Sequence, residues 1–455
     1  MSFKSIMVAS LCAMALFASC GTADANRTIV TEVPERPAGQ TDMLGFAAEP
    51  MDSVRIGVVG LGMRGADAAN RLTLVPGARV TAICDIDTAR INKVMARYAS
   101  RNYGPVATYG GAEESWKQLC EDPNVDLVYV VTDWKHHTPI ALYAMEQGKH
   151  TAIEVPAAST LEEIWDLINT SEKTRKHCMM LENCVYDFFE MNTLNMAQQG
   201  LFGEVLHTEG SYIHNLDEFW PAYANNWRLE FNKERRGDVY PTHGVGPACQ
   251  LLDIHRGDRM TTLVAMDTKA VNGPAAWKKM FGEEADTFAN GDHTMTMIRT
   301  ANGKTIQIQH DVVNPRPYSR MYNKYPVSQY AFEPEQLDSA TVPDHQNLSA
   351  HGAISPEQQA ALVEKYTHPI IREVGDVAKK VGGHGGMDYI MDYRLVYCLL
   401  NGLPLDMDVY DLAEWCALTP LSEISIANGS APVEVPDFTR GGWDKVKGYR
   451  HAFKK

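Results

Sequence analysis

The stretch that most constrains this 455-residue chain is Val54–Asp85, VRIGVVGLGMRGADAANRLTLVPGARVTAICD. A short apolar run, Val54–Val59, enters the turn Gly60-Leu61-Gly62-Met63-Arg64-Gly65. A helix-forming segment and a second apolar run follow, ending on Asp85. This is a strand, turn, helix, strand unit with G-x-G-x-x-G at its first turn, the pattern of a dinucleotide-binding fold. Gly60 permits the tight turn, Gly62 lets the backbone approach a pyrophosphate, and Gly65 lets helix and strand pack closely. The helix N-terminus offers unpaired N–H groups and the positive end of its dipole to the phosphates. Asp85 stands where a carboxylate accepts hydrogen bonds from the adenosine ribose, which favours NAD over NADP. Glycines that serve packing alone are the competing explanation, but strand, helix, second strand and terminal acid all agree on the cofactor.

From Asp85 to about residue 183, strands alternate with helices, which predicts an α/β fold with a doubly wound parallel sheet. Val125–Val131 is apolar except for Asp126 near its start, close to what a strand buried on both faces requires. Thr138 reads as an N-cap with Pro139 at the first position of a helix over Ile140–Gln147. Ligands of such sheets bind outside the C-terminal strand ends. That rule selects Gly62–Arg64, Asp85, Asp133–His137, Glu154 and Asn183 as the rim of one crevice.

Beyond residue 185 the pattern changes. Val205–His214, Thr261–Asp267, Asp292–Thr300 and Lys304–Asp311 alternate like strands, with Asn302-Gly303 as a hairpin signal. They predict a second α/β domain with an open, mostly antiparallel sheet. A loop rich in aromatics and amides carries Phe219, Trp220, Tyr223, Asn225, Asn226, Trp227 and Arg228. Tyr240-Pro241-Thr242-His243-Gly244 runs into a helix. Tyr318, Tyr322, Tyr325 and Tyr330 cluster with Arg316 and Arg320, residues 331–360 read as an acidic loop, and the final helix reads as Val409–Leu418.

The N-terminus has its own character. Lys4 precedes an apolar stretch ending Phe17-Ala18-Ser19-Cys20-Gly21. A basic start, an apolar run and small residues before a cysteine make an export signal, similar to bacterial lipoprotein signals with Cys20 as the lipidated residue. The organisation expected is a signal over 1–20, a polar tether to the membrane over 21–53, an NAD-binding domain over 54–185 and a substrate domain over 186–455. The formal net charge of −15 argues against nucleic acid and anionic membrane as partners, since both are polyanions. Membrane contact is therefore expected only through the anchor at Cys20. The seven cysteines outside the signal are scattered and read as buried thiols. No metal is expected, because neither His-x-x-x-His nor clustered carboxylates stand out.

The order of elements resembles the Gfo/Idh/MocA oxidoreductases over residues 54–436. The likeness rests on the glycine turn, Asp85, the loop near His137, Glu154-Val155-Pro156, and a helix over Asp388–Asn401 followed by Gly402-Leu403-Pro404. Two departures matter. The family has Glu-Lys-Pro where this chain has Val155, and it has an Asp four residues before the histidine of the second domain, where this chain has Tyr240-Pro241-Thr242-His243. Both departures resemble glycoside hydrolase family 109, the NAD-dependent α-N-acetylgalactosaminidases. That family shares the turn at Val59–Gly65, Glu154–Pro156, Asn226-Trp227-Arg228 and Tyr240–Gly244.

The resemblance implies hydrolysis of a glycan with terminal α-linked N-acetylgalactosamine. A hydride is borrowed from C3 of the sugar, the aglycone leaves C1 by elimination, water adds, and the hydride returns. Export fits this reading, since a redox-neutral enzyme that keeps its NAD needs no external pool to recycle it. Tyr240 and His243 are assigned jointly to the proton transfers at the C3 hydroxyl and C2. Tyr212, Arg228, Tyr240–His243 (with Pro241 and Thr242) and Tyr322 would line the sugar pocket, with Tyr318 competing for the role of Tyr322. The cofactor contacts are Gly60, Gly62, Met63, Arg64, Asp85, Asp133, Trp134, Lys135, His136, Glu154, Val155 and Asn183. Tyr186 reads equally as a neighbour of the leaving group or as a packed residue, and His137 equally as a loop support or a cofactor contact. Open sheets in this superfamily often pair, so a homodimer is an open expectation. The alternatives are an exported NAD(P)-dependent sugar oxidoreductase with a small-molecule acceptor and a non-enzymatic sugar-binding lipoprotein.

Overall fold

The structure, a computed structural model, describes residues 28–223, 226–319 and 356–454. The signal and Cys20 lie outside the described residues. Six strands form the first sheet: β1 (Val54–Val59), β2 (Ala78–Asp85), β3 (Ala107–Gly110), β4 (Leu127–Val130), β5 (His150–Ile153) and β6 (Cys178–Met180). Their order is β3-β2-β1-β4-β5-β6 and every pairing is parallel. Five helices connect them: α1 (Gly65–Leu72), α2 (Thr88–Ala99), α3 (Ser115–Glu121), α4 (Trp134–Glu146) and α5 (Leu161–Thr174). All residues of β4 and β5 are buried, the condition of a parallel strand covered on both faces. Two independent halves built on β1 make this the doubly wound dinucleotide fold, and its switch point lies between β1 and β4.

Helix α4 begins four residues before the N-cap expected at Thr138. Asp133 is the residue before its first turn, and Pro139 sits inside the helix. The Thr138 hydroxyl donates instead to the carbonyl of Ala157, at 3.1 Å. A proline within the first two turns removes only one ladder bond, and the acceptor it frees belongs to exposed Lys135.

The second half begins with a 3-10 turn, Asn183–Tyr186, and α6 (Phe188–Gln198). Then come β7 (His207–Ile213), α7 (Trp227–Glu234), α8 (Thr242–Leu251), β8 (Met260–Asp267), α9 (Asn272–Phe281), β9 (Thr294–Thr300) and β10 (Thr305–Asp311). After the undescribed segment follow α10 (Pro356–Tyr366), α11 (Pro369–Val381), α12 (Met387–Asn401), α13 (Val409–Ala427) and β11 (Val433–Glu434). The sheet order is β11-β8-β9-β10-β7, antiparallel except between β10 and β7. The four expected strands are present, and the sheet is mostly antiparallel.

Several helices were not legible in the sequence. Trp227 opens α7 where an aromatic loop is expected. The end of the expected 331–360 loop is the start of α10. Helix α9 opens with Asn272-Gly273-Pro274, which reads as a turn; its N-terminal amides from Val271, Asn272 and Gly273 all donate to the distant Asp292 carboxylate, a tertiary cap. In α11 the His368 Nδ1 accepts from Ile370 N–H at 3.2 Å. Helix α13 runs to Ala427, past the expected stop at Leu418. It starts with a capping box between Asp408 and Asp411 and is buried on every side, packed against β8, α5 and β6. That burial outweighs the bond lost at Pro420.

Residues 28–53 correct the tether expectation. Ile29 pairs with Val433, Arg36 forks onto Glu172 at 2.9 and 3.2 Å, and Met43 is buried in the core. The Met43 N–H donates to the hydroxyl of Tyr410. This segment is part of the folded body. All seven described cysteines are buried free thiols.

Candidate active site

One cavity of about 930 Å³ runs from the glycine turn into the second half of the molecule. Its first end is built by the turn between β1 and α1. Gly60 takes φ +92°, and a Cβ there would lie 2.4 Å from the carbonyl oxygen of Val131. A Cβ on Gly65 would lie 1.8 Å from the carbonyl oxygen of Gly60. A Cβ on Gly62, by contrast, would meet nothing closer than Arg90, at 3.7 Å. The first and third glycines are therefore demanded by packing, while the second keeps space open on the cavity wall. That difference, with the N-terminus of α1 behind it, is what a pyrophosphate requires.

Asp85 closes this end. Its carboxylate accepts from the Leu61 N–H at 2.6 Å and the Asp87 N–H at 2.8 Å, and Arg90 stands 3.6 Å away. Two anchoring amides fix the group while leaving lone pairs for ribose hydroxyls. Met63, Arg64, Asp133, Trp134 and His136 continue the wall, followed by Glu154, Val155 and Asn183. The His136 ring bonds the Asp133 carboxylate at 2.7 Å. That bond outweighs partial burial and raises the His136 pKa. The Trp134 indole donates to the Val155 carbonyl, at 3.1 Å. These residues fit NAD. Lys135 is the exception, exposed and off the wall.

His137 reaches the cavity, yet Nδ1 lies 2.8 Å from the Pro156 carbonyl and Nε2 lies 3.1 Å from the Thr132 carbonyl. Both ring nitrogens face backbone, so the ring is a loop support.

The opposite wall comes from β7 and the start of α8. Tyr240 stacks on Trp134, with centroids 5.5 Å apart and planes 19° apart. Its ring also meets Tyr212 at 4.6 Å and stands edge-on to His243 at 5.0 Å. Gly244 makes this possible by close backbone approach, since a Cβ there would lie 2.5 Å from the Ser211 nitrogen of β7. Burial drives the Tyr240 phenol well above its ordinary pKa, and the nearby Arg228 opposes this only in part.

The His243 Nδ1–H donates to Glu182 Oε1 at 2.6 Å, and the same oxygen accepts from the Cys184 N–H at 3.0 Å. Burial alone would raise the Glu182 carboxyl, but the charge and hydrogen bond of His243 outweigh it and hold the group below its ordinary range. Sequence reading missed Glu182. The available signal was its place beside Asn183 at the end of the last parallel strand. Glu182, Cys184 and His243 are also the one group of metal-type ligands among the described residues, with atoms within 4.8 Å of one another. A metal there would have to break the Glu182–His243 bond.

Arg228 is the most constrained cation on the wall. It lies buried under four aromatic rings: Tyr240 at 4.4 Å, Tyr223 at 5.2 Å, Trp134 at 5.3 Å and Tyr212 at 5.6 Å. It donates to the hydroxyls of Tyr223 at 2.5 Å and Tyr212 at 3.4 Å. Burial works to remove its charge, but the phenolic oxygens more than offset this and its pKa stays raised. Among the described residues no carboxylate pairs with it.

Two expected pocket residues do not reach the cavity. Pro241 and Thr242 are buried but do not reach the cavity, because the turn into α8 points them away from it. Tyr186 is fully buried and donates to Asp406 at 3.2 Å, so it is a packed residue. Tyr322 and Asn225 lie outside the described residues; Tyr318 does line the cavity, edge-on to His214. His384, which sequence reading did not select, also reaches the wall.

Residues 54–182 match the oxidoreductase family with the NAD-binding Rossmann fold. Residues 186–445 match the family described as glycosyl hydrolase 109, C-terminal domain. The chain is 64% identical over 430 residues to glycosyl hydrolase family 109 protein 1 of Phocaeicola vulgatus, covering 92% of this chain and 91% of that one. It is 59% identical to the protein of the same name from Bacteroides thetaiotaomicron, covering 99% of each. A levoglucosan dehydrogenase in complex with NADH and L-sorbose has the same fold at 16% identity, with a TM-score of 0.58 over 85% of this chain and all of that one. An oxidoreductase from Agrobacterium radiobacter in complex with NAD+, L-tartaric acid and magnesium aligns at 15% identity with a TM-score of 0.55, over 84% of this chain and 98% of that one. The chain belongs to glycosyl hydrolase family 109 and is built on an NAD-binding oxidoreductase fold.

Proposed function

We propose that this protein is an exported, lipid-anchored glycosidase that removes terminal α-linked N-acetylgalactosamine from glycans without net oxidation. The observation that carries this reading is the pairing across the cavity: a cofactor rim that ends in apolar Val155 faces Tyr240 and His243. An ordinary dehydrogenase of this fold places a lysine beside the reacting carbon. Here the groups able to move protons stand on the opposite wall.

NAD, when bound, supplies a reversible hydride acceptor for C3 of the sugar. The chain's own residues do the rest. His243, with its Nδ1–H held by Glu182, accepts a proton through Nε2. Tyr240 keeps its phenolic proton at neutral pH and donates to the C3 oxygen. With C3 a ketone, the C2 proton becomes acidic. When a base removes it, the C1–O bond breaks and the aglycone leaves as an alkoxide, which takes up a proton to become the alcohol. Water then adds at C1, a proton returns to C2, and the C3 hydroxyl is restored. The balance is hydrolysis of one glycosidic bond. Arg228 supports the reading because a buried cation that no carboxylate among the described residues pairs stabilises the negative charge that develops on the C3 oxygen as C2 is deprotonated.

The test is an aryl α-N-acetylgalactosaminide incubated with the purified protein. Aryl release with no accumulation of NADH supports the hydrolase. NADH accumulation without aryl release would identify an exported sugar oxidoreductase instead.

A further inference from the structure

A glycan continues from its terminal sugar only through C1. The cofactor rim and Asp85 occupy one end of the cavity, so the rest of the glycan leaves by the other end, beyond Tyr212. There a row of rings runs outward from Tyr240. Tyr240 meets Tyr212 at 4.6 Å, and Tyr212 stacks on His214 with centroids 5.7 Å apart and planes 24° apart. Two further rings meet His214, Phe219 at 5.2 Å and Tyr318 at 4.9 Å, each with its plane at 77° to the imidazole. All of these residues line the cavity. Exposure rises along the row, from buried Tyr212 through half-buried His214 to Phe219 at 44% and Tyr318 at 55%. Apolar rings scattered singly over a surface need no explanation, but two of them set around one histidine at a cavity mouth leave ring surface for a ligand.

Both rings are placed by backbone bonds. The Ile213 N–H donates to the Ser319 carbonyl at 2.7 Å and the Ser319 N–H to the Ile213 carbonyl at 2.9 Å, which sets Tyr318 beside the end of β7. The Leu216 N–H donates to the Val312 carbonyl at 2.9 Å, and the Phe219 N–H to the Leu216 carbonyl at 2.7 Å. Trp220, beside Phe219, is fully buried and anchors the turn. Rings on an ordered backbone lose little freedom when a ligand covers them. The segment carrying Phe219 adds apolar Leu216 and Ala222 to the wall, and the chain carries a net charge of −15. That setting suits a neutral ring better than an anion.

We propose that Phe219 and Tyr318 form the aglycone subsite, a platform on which the neutral pyranose attached to C1 of the terminal sugar stacks its C–H face. The platform makes the enzyme select for what the terminal sugar is linked to, in addition to the sugar itself. This inference rests on the glycosidase reading above.

The test compares two substrates of the full-length holoprotein: N-acetylgalactosamine α-linked to galactose, and methyl α-N-acetylgalactosaminide, whose aglycone has no ring. The readout is the ratio of their kcat/KM values, which cancels any change common to both. Phe219→Ala is expected to lower the ratio about three- to tenfold, the size of one lost ring contact, and Tyr318→Ala to move it in the same direction. Phe219→Trp keeps a ring and is expected to hold the ratio within about twofold. A fall smaller than about threefold in Phe219→Ala, or an equal fall in Phe219→Trp, would overturn the proposal. If the parent protein cleaves neither substrate, the glycosidase reading has failed, and saturation-transfer NMR decides the platform by itself. Transfer to the galactose C–H protons of the disaccharide that is lost in Phe219→Ala supports the platform, and no such transfer overturns it.

Discussion

Glu182 and His243 meet at 2.6 Å between two sheets that share no strand. Glu182 follows the last parallel strand of the dinucleotide domain, and His243 opens the helix that packs on β7 of the other sheet. The bond fixes which imidazole nitrogen serves the cavity. Replacing His243 by alanine is expected to lower kcat by about 10²–10⁴. Glu182→Gln keeps the shape but not the charge, so a smaller fall in kcat with a shifted pH profile is expected. NAD content, read from the absorbance of the purified variants, should match the parent.

Arg228 separates binding from folding. Its guanidinium is held by two tyrosine hydroxyls and four aromatic rings, and among the described residues by no carboxylate. Arg228→Leu keeps an apolar side chain against those rings and should lower the melting temperature only slightly, while kcat/KM for the glycoside falls about 10- to 100-fold, the size of a lost charged hydrogen bond. Loss of stability together with unchanged kcat/KM would make Arg228 a structural residue.

The three glycines of the turn predict three different phenotypes. Gly65→Ala places a Cβ against the Gly60 carbonyl and should abolish soluble expression. Gly60→Ala combines positive φ with a backbone clash and should destabilise the protein severely. Gly62→Ala meets only open cavity and should fold normally but purify without NAD. Circular dichroism and cofactor content on the three proteins distinguish these outcomes.

Acid should unfold the protein through its histidines. Burial lowers His150 and His451 to about 4, and His177, His310 and His368 to about 3. The unfolded chain binds protons at these sites below about pH 6.5, while the native state does not. Stability therefore rises with pH across that window and falls as pH drops from about 6.5 towards 4, by up to roughly 1.4 kcal/mol per pH unit for each histidine. His136 and His255, raised by Asp133 and Glu414, and the carboxyls of Glu190, Asp238 and Asp408, raised by burial, act in the opposite direction and reduce this slope without reversing it. The urea midpoint measured at pH 7, 6 and 5 should fall at each step.

What the sequence made legible follows the reach of its signals. The glycine turn, the apolar strands and Tyr240-Pro241-Thr242-His243 are local patterns, and each sits where local rules place it. Glu182 was hidden because its partner His243 lies in another sheet. His384 and Asp388 were hidden because their partner Arg64 lies more than 300 positions away in the chain. Helix α9 was hidden because Asp292, twenty residues away, caps it. Thr138 misled because it has the chemistry of a cap, but the helix already starts after Asp133, well before it. The tether expectation failed because polar residues 28–53 hold a few anchors, Ile29, Arg36 and Met43, whose partners lie far along the chain.

The central claim is that the sugar is oxidised only for as long as the glycosidic bond takes to break. Hydrolysis of an aryl α-N-acetylgalactosaminide in D2O, with the released sugar analysed by proton NMR, tests it most directly. The account predicts deuterium at C2 of the product, because that carbon loses its proton in the elimination and regains one from solvent. Release of N-acetylgalactosamine that keeps its original C2 proton would contradict it.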